Sequence, residues 1–235
     1  MSGAAPAVFR AATYNVHAHV GRDGRRDPAR VSRVIDELDA DVVALQEFTY
    51  PVDTALETRT PVVLTLERYE CVLGPARQNA TQCFGNAILT RHPFVEVHRI
   101  DLSITRREPR AALAATIEVD GEPVHVLAAH LGLGVPERRR QVAQILAYLD
   151  SVKHTKLVVL GDFNDWMPGR TVADVLDQRL GQLPRPRSFP ASRPLLALDR
   201  IWVQPHDAFR RMFAHRTAAA RMASDHVPVV AEIAW

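Results

Sequence analysis

Cysteine is nearly absent: Cys71 and Cys83 are the only two in 235 residues, and they do not stand at metal-ligand spacing. Two such thiols exclude a disulfide framework as the basis of the fold. Free thiols in the reducing cytoplasm are the expectation. Lysine is scarcer than its class suggests, with Lys153 and Lys156 alone among 29 basic residues. Arginine offers a planar fork of donors that suits phosphate oxygens, but a GC-rich genome produces the same bias. The formal charge of +2 selects no partner. No apolar run approaches the ~18 residues of a membrane-spanning helix. The start, Met1 to Ala7, has no basic cluster and no apolar stretch, so no secretory signal is expected. Linkers, repeats and low-complexity tracts are missing as well, which favours one domain over residues 1–235. A hydrophobic share of 47% is enough for a sizeable core.

What is present is an alternation of short apolar runs with helical stripes. Residues 8–14 read as a strand. Asp27-Pro28 opens a helix, Asp as N-cap and Pro at the first turn, with Val31, Val34, Ile35 and Leu38 as its apolar stripe. Residues 41–46 form a second strand, apolar enough to be buried on both faces. Residues 54–66 are a weaker helix candidate. Strands are expected near 69–73, 84–90, 94–102, 111–119 and 123–129, with Asp120-Gly121 as a tight hairpin turn. Pro136 starts a helix bearing Val142, Ile145, Leu146 and Leu149. A strand over 156–160, a helix near 170–180, a proline-rich loop over 181–197 and strands near 198–203, 208–215 and 227–233 complete the pattern. Many strands with interspersed helices and hairpins point to a layered α/β sandwich with mixed or antiparallel sheets.

Polar residues recur at the ends of the apolar strands. Asn15 ends the first, Gln46-Glu47 the second, His130 follows Leu127-Ala128-Ala129, and Asp162 and Asn164 follow Val158-Val159-Leu160. Asp199 begins a strand and Asp225-His226 precedes the last one. Layered α/β folds gather functional groups at such places. Carboxylates and amides are hard oxygen donors suited to Mg²⁺ or Mn²⁺ more than to zinc. Each residue also has an ordinary reading: Glu47 as a helix N-terminal acid, Asn15 closing a turn, a satisfied structural histidine, Asp199 paired with Arg200. The ordinary readings do not explain why all of them flank strong strand signals.

The ordered set Tyr14-Asn15, Leu45-Gln46-Glu47, Gly85-Asn86-Ala87-Ile88-Leu89, His130-Leu131, Gly161-Asp162-Phe163-Asn164, Leu198-Asp199-Arg200-Ile201 and Ser224-Asp225-His226-Val227-Pro228 resembles the endonuclease/exonuclease/phosphatase superfamily. The resemblance spans residues 14–228. It implies a four-layered α/β sandwich of two packed, mainly antiparallel sheets, and a divalent-metal-dependent phosphoesterase. It implies that Glu47, Asn15 and Asp225 lie on the Mg²⁺ (or Mn²⁺) side. By the same resemblance Asp162 and Asn164 position the attacking water, and His226, oriented by Asp199, is the catalytic histidine. His130 and Arg110, with Arg107 as a second, would contact the phosphate. The substrate it implies is a phosphodiester, nucleic acid first, with a lipid-linked phosphodiester or a small phosphomonoester as alternatives. A non-catalytic binding scaffold is disfavoured by the completeness of the set. No protein partner is implied.

Arg22, Arg25 and Arg26, in the loop after Asn15, could track a phosphate backbone. The run Arg138-Arg139-Arg140 reads as a solvated helix face. The stretch from Ser188-Phe189-Pro190 to Leu198-Asp199 looks like a compact bacterial branch of the superfamily. Phe189, Leu195 and Leu196 are read there as core rather than as a lipid-facing rim.

Overall fold

The computed structural model describes residues 8–58, 63–166 and 171–235. A seven-stranded sheet is built from β1 (Phe9–Asn15), β2 (Val42–Pro51), β3 (Glu57–Thr58), β4 (Glu70–Gln78), β5 (Gln82–Thr90), β11 (Phe209–Ala214) and β12 (Val229–Ile233), in the order β11-β12-β1-β2-β5-β4-β3. A five-stranded sheet takes β6 (Phe94–Asp101), β7 (Ala111–Val119), β8 (Glu122–His130), β9 (Leu157–Asp162) and β10 (Asp199–Gln204), in the order β10-β9-β8-β7-β6. Pairing is antiparallel except β1 with β2 and β8 with β9, one parallel pair in each sheet.

Alternation along the strands makes the layers. In β2, Val42 and Ala44 face the other sheet while Val43 and Leu45 face helices. The inter-sheet core joins Ala11, Val42 and Ile88 to Leu113, Val126, Val158 and Leu160. On the outer face of the first sheet lie α1 (Pro28–Leu38) and α4 (Ala218–Ala223), inserting Val31, Val34, Ile35 and Ala220. On the outer face of the second lie α2 (Val135–Ser151) and α3 (Val172–Leu180), inserting Val142, Ile145, Leu149, Leu176 and Leu180. The order is helix, sheet, sheet, helix, as expected. Burial on both faces explains why the central strands are apolar without a polar alternate.

The local signals act as chemistry requires. The Asp27 carboxylate accepts from the Ala29 amide at 3.0 Å and caps α1. Asp120 and Gly121 both have positive φ, 52° and 80°, and close the β7–β8 hairpin. Gly161 has φ 150°, and a Cβ there would strike the Ala129 carbonyl oxygen of the neighbouring strand. Only glycine lets β9 run that close to β8 just before the polar end.

Three expectations are corrected. The candidate helix over 54–66 is absent from its described residues: Glu57–Thr58 pairs with β4 as a sheet-edge strand, and 59–62 lie outside the described residues. Free edge hydrogen bonds on β4 outweigh a weak helical stripe rich in β-branched residues. The strand expected at 41–46 continues as β2 to Pro51, across a register shift between Leu45 and Phe48. α4 was unforeseen; its start is Thr217, whose hydroxyl accepts from the Ala220 amide at 3.1 Å. No helix among the described residues is long and apolar enough to cross a membrane.

Candidate active site

Strand register brings the polar ends together. Parallel pairing of β8 and β9 sets His130 beside Asp162, and antiparallel pairing of β9 and β10 sets Asp162 beside Asp199. In the other sheet, parallel pairing of β1 and β2 sets Asn15 beside Gln46, with Glu47 next. The two halves meet through one amide. Asn15 Nδ2 donates to Glu47 Oε1 at 3.2 Å and to Asp162 Oδ2 at 3.0 Å, from the first sheet to the second.

The backbone at these points is unusual for side-chain-bearing residues. Glu47 has φ 54° at the irregularity in β2, and Asn164 has φ 49° just after β9. His17, Ala18 and His19 form a left-handed turn one residue after Asn15, with φ of 47°, 50° and 63°. Such conformations cost of order 1–3 kcal/mol each and collect at functional sites. Here they turn Glu47 out of the strand alternation and into the cavity.

That cavity measures about 650 Å³. Asn15, Glu47, His130, Asp162, Asn164, Asp225 and His226 all line it, and so does Arg110. Asp199 stands behind His226, fully buried, with Oδ2 2.8 Å from Nδ1. His226 Nε2 and His130 Nε2 flank Asp162 Oδ2, each at 3.8 Å. The Asn164 amide N–H donates to Asp162 Oδ1 at 2.9 Å, and Asn164 Nδ2 donates to the Leu131 carbonyl at 2.9 Å. Arg110 is buried, ion-paired to Glu108 at 2.8 Å, with its Nε unpartnered. The Asn86 amide, bonded to the Ala111 carbonyl at 2.7 Å, fixes β5 against the strand that follows Arg110.

Arg107 is not brought into this group: it is exposed and absent from the cavity wall. Arg138 also departs from its expected place on a solvated face. It is buried, 3.5 Å from buried Asp165 and 5.8 Å from the Trp166 ring. The core reading of Phe189, Leu195 and Leu196 fails too. Leu195 is 53% exposed, and Phe189 and Leu196 line the cavity mouth beside exposed Leu133 and Trp166. Several wall residues escaped the sequence reading, among them His17, Arg77, Phe84, Leu133 and Trp166. Of these only His17, two residues from Asn15, carried any sequence signal.

Electrostatics separates the two histidines. Burial pushes His130 down to about 3, assisted by Arg110 and His226 and opposed by Asp162. Burial also lowers His226, but Asp199, then Asp162 and Asp225, reverse the sign and raise it to about 10. Near neutral pH one imidazole is neutral and its neighbour is cationic. Glu47 is raised by burial and by the like charges of Asp225 and Asp162, against the Asn15 hydrogen bond.

A divalent cation fits this donor set. No lysine or arginine pairs with Glu47, Asp162 or Asp225 among the described residues, although the three acids share one cavity. Their mutual repulsion is what a bound cation would relieve. Ligand atoms of Asp162, Asp199 and His226 also lie within 4.8 Å of one another. The Asp199 oxygen there is already engaged by His226, and Asp162 Oδ2 accepts from Asn15, so Glu47 with Asp225 is the more open set.

Residues 12–226 match the model of the Endonuclease/Exonuclease/phosphatase family, and the chain belongs to it. Over 158 residues the chain is 34% identical to uncharacterized protein YbhP of Escherichia coli (strain K12), covering 63% of this chain and 62% of that one. The chain thus spans less than two thirds of the curated relative's length. The endonuclease/exonuclease/phosphatase of Beutenbergia cavernae superposes with a TM-score of 0.75 at 23% identity, covering 97% of this chain and 71% of that one. A mannosyl-6-phosphatase of Bacteroides thetaiotaomicron gives 0.73 at 16% identity, covering 97% and 100%. The two structural likenesses establish the fold, an α/β sandwich. The family is one of phosphoesterases that generally use divalent metals.

Proposed function

We propose that this protein is a divalent-metal-dependent phosphodiesterase acting by in-line attack of water. The observation that carries the reading is the Asn15 amide bonded to both Glu47 and Asp162, which joins the acidic half of the cavity to the histidine half. When bound, Mg²⁺ or Mn²⁺ supplies Lewis-acid polarisation of a phosphoryl oxygen, held by Glu47 with Asp225 and Asn15 beside it. Asp162, fixed by the Asn164 amide, orients the attacking water and takes its proton. His226, cationic and held by Asp199, faces the developing negative charge and gives its proton to the leaving oxygen as the P–O bond breaks. Neutral His130, Asn164 and Arg110 bracket the remaining phosphoryl oxygens. Catalysis then rests on positioning and charge stabilisation, as for phosphoryl transfer generally.

Nucleic acid is the first substrate class. In its support, Arg77 stands on the cavity rim, and the wall continues past it to Thr49, which bonds Arg26 at 3.0 Å. A backbone with repeated phosphates would follow that line. A second reading, an amphiphilic phosphodiester, is favoured by the apolar side of the mouth, where Leu133 is 63% and Trp166 47% exposed.

The test is hydrolysis of bis-p-nitrophenyl phosphate with Mg²⁺, with Mn²⁺ and with EDTA, followed by oligonucleotide and phospholipid substrates. Turnover should need the metal. His226→Ala and Asp162→Ala should each lower kcat by about 10²-fold or more. Metal-independent turnover, or full activity in both variants, would overturn the assignment.

A further inference from the structure

The dyad of Asp199 and His226 has a third member. Ser188 is fully buried in the proline-rich segment that precedes β10. Its hydroxyl donates to Asp199 Oδ2 at 2.5 Å, the same oxygen that accepts from His226 Nδ1 at 2.8 Å. The Asp199 amide N–H points back to the Ser188 hydroxyl at 3.4 Å. Asp199 Oδ1 is buried and has no hydrogen-bond partner. The carboxylate is therefore held through one oxygen only, by Ser188 on one side and His226 on the other.

The backbone of Ser188 is clamped as firmly as its side chain. Its N–H donates to the Leu196 carbonyl at 2.9 Å, and its carbonyl accepts from the Val227 N–H at 2.9 Å, one residue past His226. Beside it the Phe189 ring lies against His226, centroids 4.9 Å apart, and the Ala191 N–H donates to the Asp225 carbonyl at 2.6 Å. Ser188 and Phe189 thus touch the two partners of the dyad, Ser188 buried against Asp199 and Phe189 from the cavity wall against His226.

We propose that Ser188 is a positioning residue for the hydrolytic reaction: it fixes the carboxylate of Asp199 so that Asp199 holds the His226 ring with Nε2 towards the scissile phosphate. An sp² oxygen has two lone-pair directions, and here each has one donor. Without the hydroxyl, the hydrogen bond from His226 alone would restrain rotation of the carboxylate about its Cβ–Cγ bond, because Oδ1 has no partner. The imidazole would then lose its fixed orientation, and misplacement of a reacting group by about 1 Å costs up to ~10²-fold in rate. Threonine carries the same hydroxyl and alanine does not, so the pair of substitutions separates the hydrogen bond from the packing.

The inference rests on the reading of this site as a phosphodiesterase, and its test has an arm that needs no turnover. Proton NMR of the metal-free protein should show a far-downfield Nδ1–H resonance from His226 on Asp199, assigned by its loss in His226→Gln. Ser188→Ala should remove or exchange-broaden that resonance, and Ser188→Thr should keep it. In steady-state assays of bis-p-nitrophenyl phosphate, Ser188→Ala should lower kcat by roughly 10- to 100-fold with KM within about twofold, and Ser188→Thr should restore most of kcat. A Ser188→Ala protein with an unchanged resonance, or with kcat within about twofold of the parent, would overturn the role. So would loss of kcat that Ser188→Thr fails to rescue. If the parent protein hydrolyses no phosphodiester, the phosphodiesterase reading fails, while the resonance still decides whether Ser188 orders the dyad.

Discussion

Glu47 shows how much one residue can be asked to do. Its carboxylate is pushed into a cavity by a left-handed backbone, next to two other acids. Burial and those like charges raise its pKa, so in the metal-free protein it is a source of instability. Replacing it with glutamine should therefore act in two directions. Calorimetric titration with Mn²⁺ should show affinity falling by at least about tenfold, the scale on which metal sites respond to a changed supporting residue. Thermal melting of the metal-free variant should shift upward, by about 2–4 °C for each kcal/mol of repulsion relieved. Unchanged Mn²⁺ affinity would remove Glu47 from the metal side. Glu47 was legible in the sequence because it follows the apolar run Val42-Val43-Ala44-Leu45 and Gln46. Ser188 was not, because a serine in a proline-rich loop becomes significant only when folding sets it against Asp199, and Arg77 was hidden for the same reason on a hairpin that no motif marks.

At the level of elements, strands were read more securely than the loops that join them. Runs such as Val158-Val159-Leu160 announce both a strand and its polar end, since period and burial are encoded within a few residues. Arg138 misled because helix position alone does not reveal a partner 27 residues away. It anchors α2 to the loop after β9: Asp165, 3.5 Å from its guanidinium, also accepts the Ala173 amide at the start of α3. Asn164 precedes Asp165 directly, so this buried pair fixes the loop that carries a candidate site residue. Arg138→Met would leave the Asp165 carboxylate buried without its cation. The expected cost is about 3–5 kcal/mol, read as a lower urea midpoint. The double variant Arg138→Met/Asp165→Asn should recover part of that loss, and a single variant as stable as the parent would mean that the pair carries no structural weight.

Over the whole molecule, buried histidines set the pH range of stability. Burial is the main cause that brings His19 and His125 down to about 4 and His130 to about 3, from an ordinary value of 6.5. The unfolded chain takes up these protons first, so stability is complete above pH 6.5 and declines as pH falls through the window towards 4. Each group contributes about 1.4 kcal/mol per pH unit inside its window. His226 runs the other way: raised to about 10, it stabilises fully below pH 6.5 and loses that contribution as pH rises towards 10. Scanning calorimetry of the metal-free protein should give a maximal Tm near pH 6.5 to 7, lower at pH 5 and again at pH 9. A Tm that keeps rising from pH 7 to pH 5 would contradict these assignments.

The sheet order has a further consequence. All of β6 to β10 forms the second sheet, while the first is shared between β1 to β5 and the two strands β11 and β12. β12 lies between β11 and β1, and His226 stands three residues before its start at Val229. During vectorial synthesis on the ribosome, the first sheet therefore stays unfinished until the β12 segment has left the exit tunnel. Asn15, Glu47, His130 and Asp162 all leave the tunnel before His226, the proton donor of the proposed reaction. On the proposed reading, the nascent chain would gain its full site only when the β12 segment pairs with β1 and closes the first sheet.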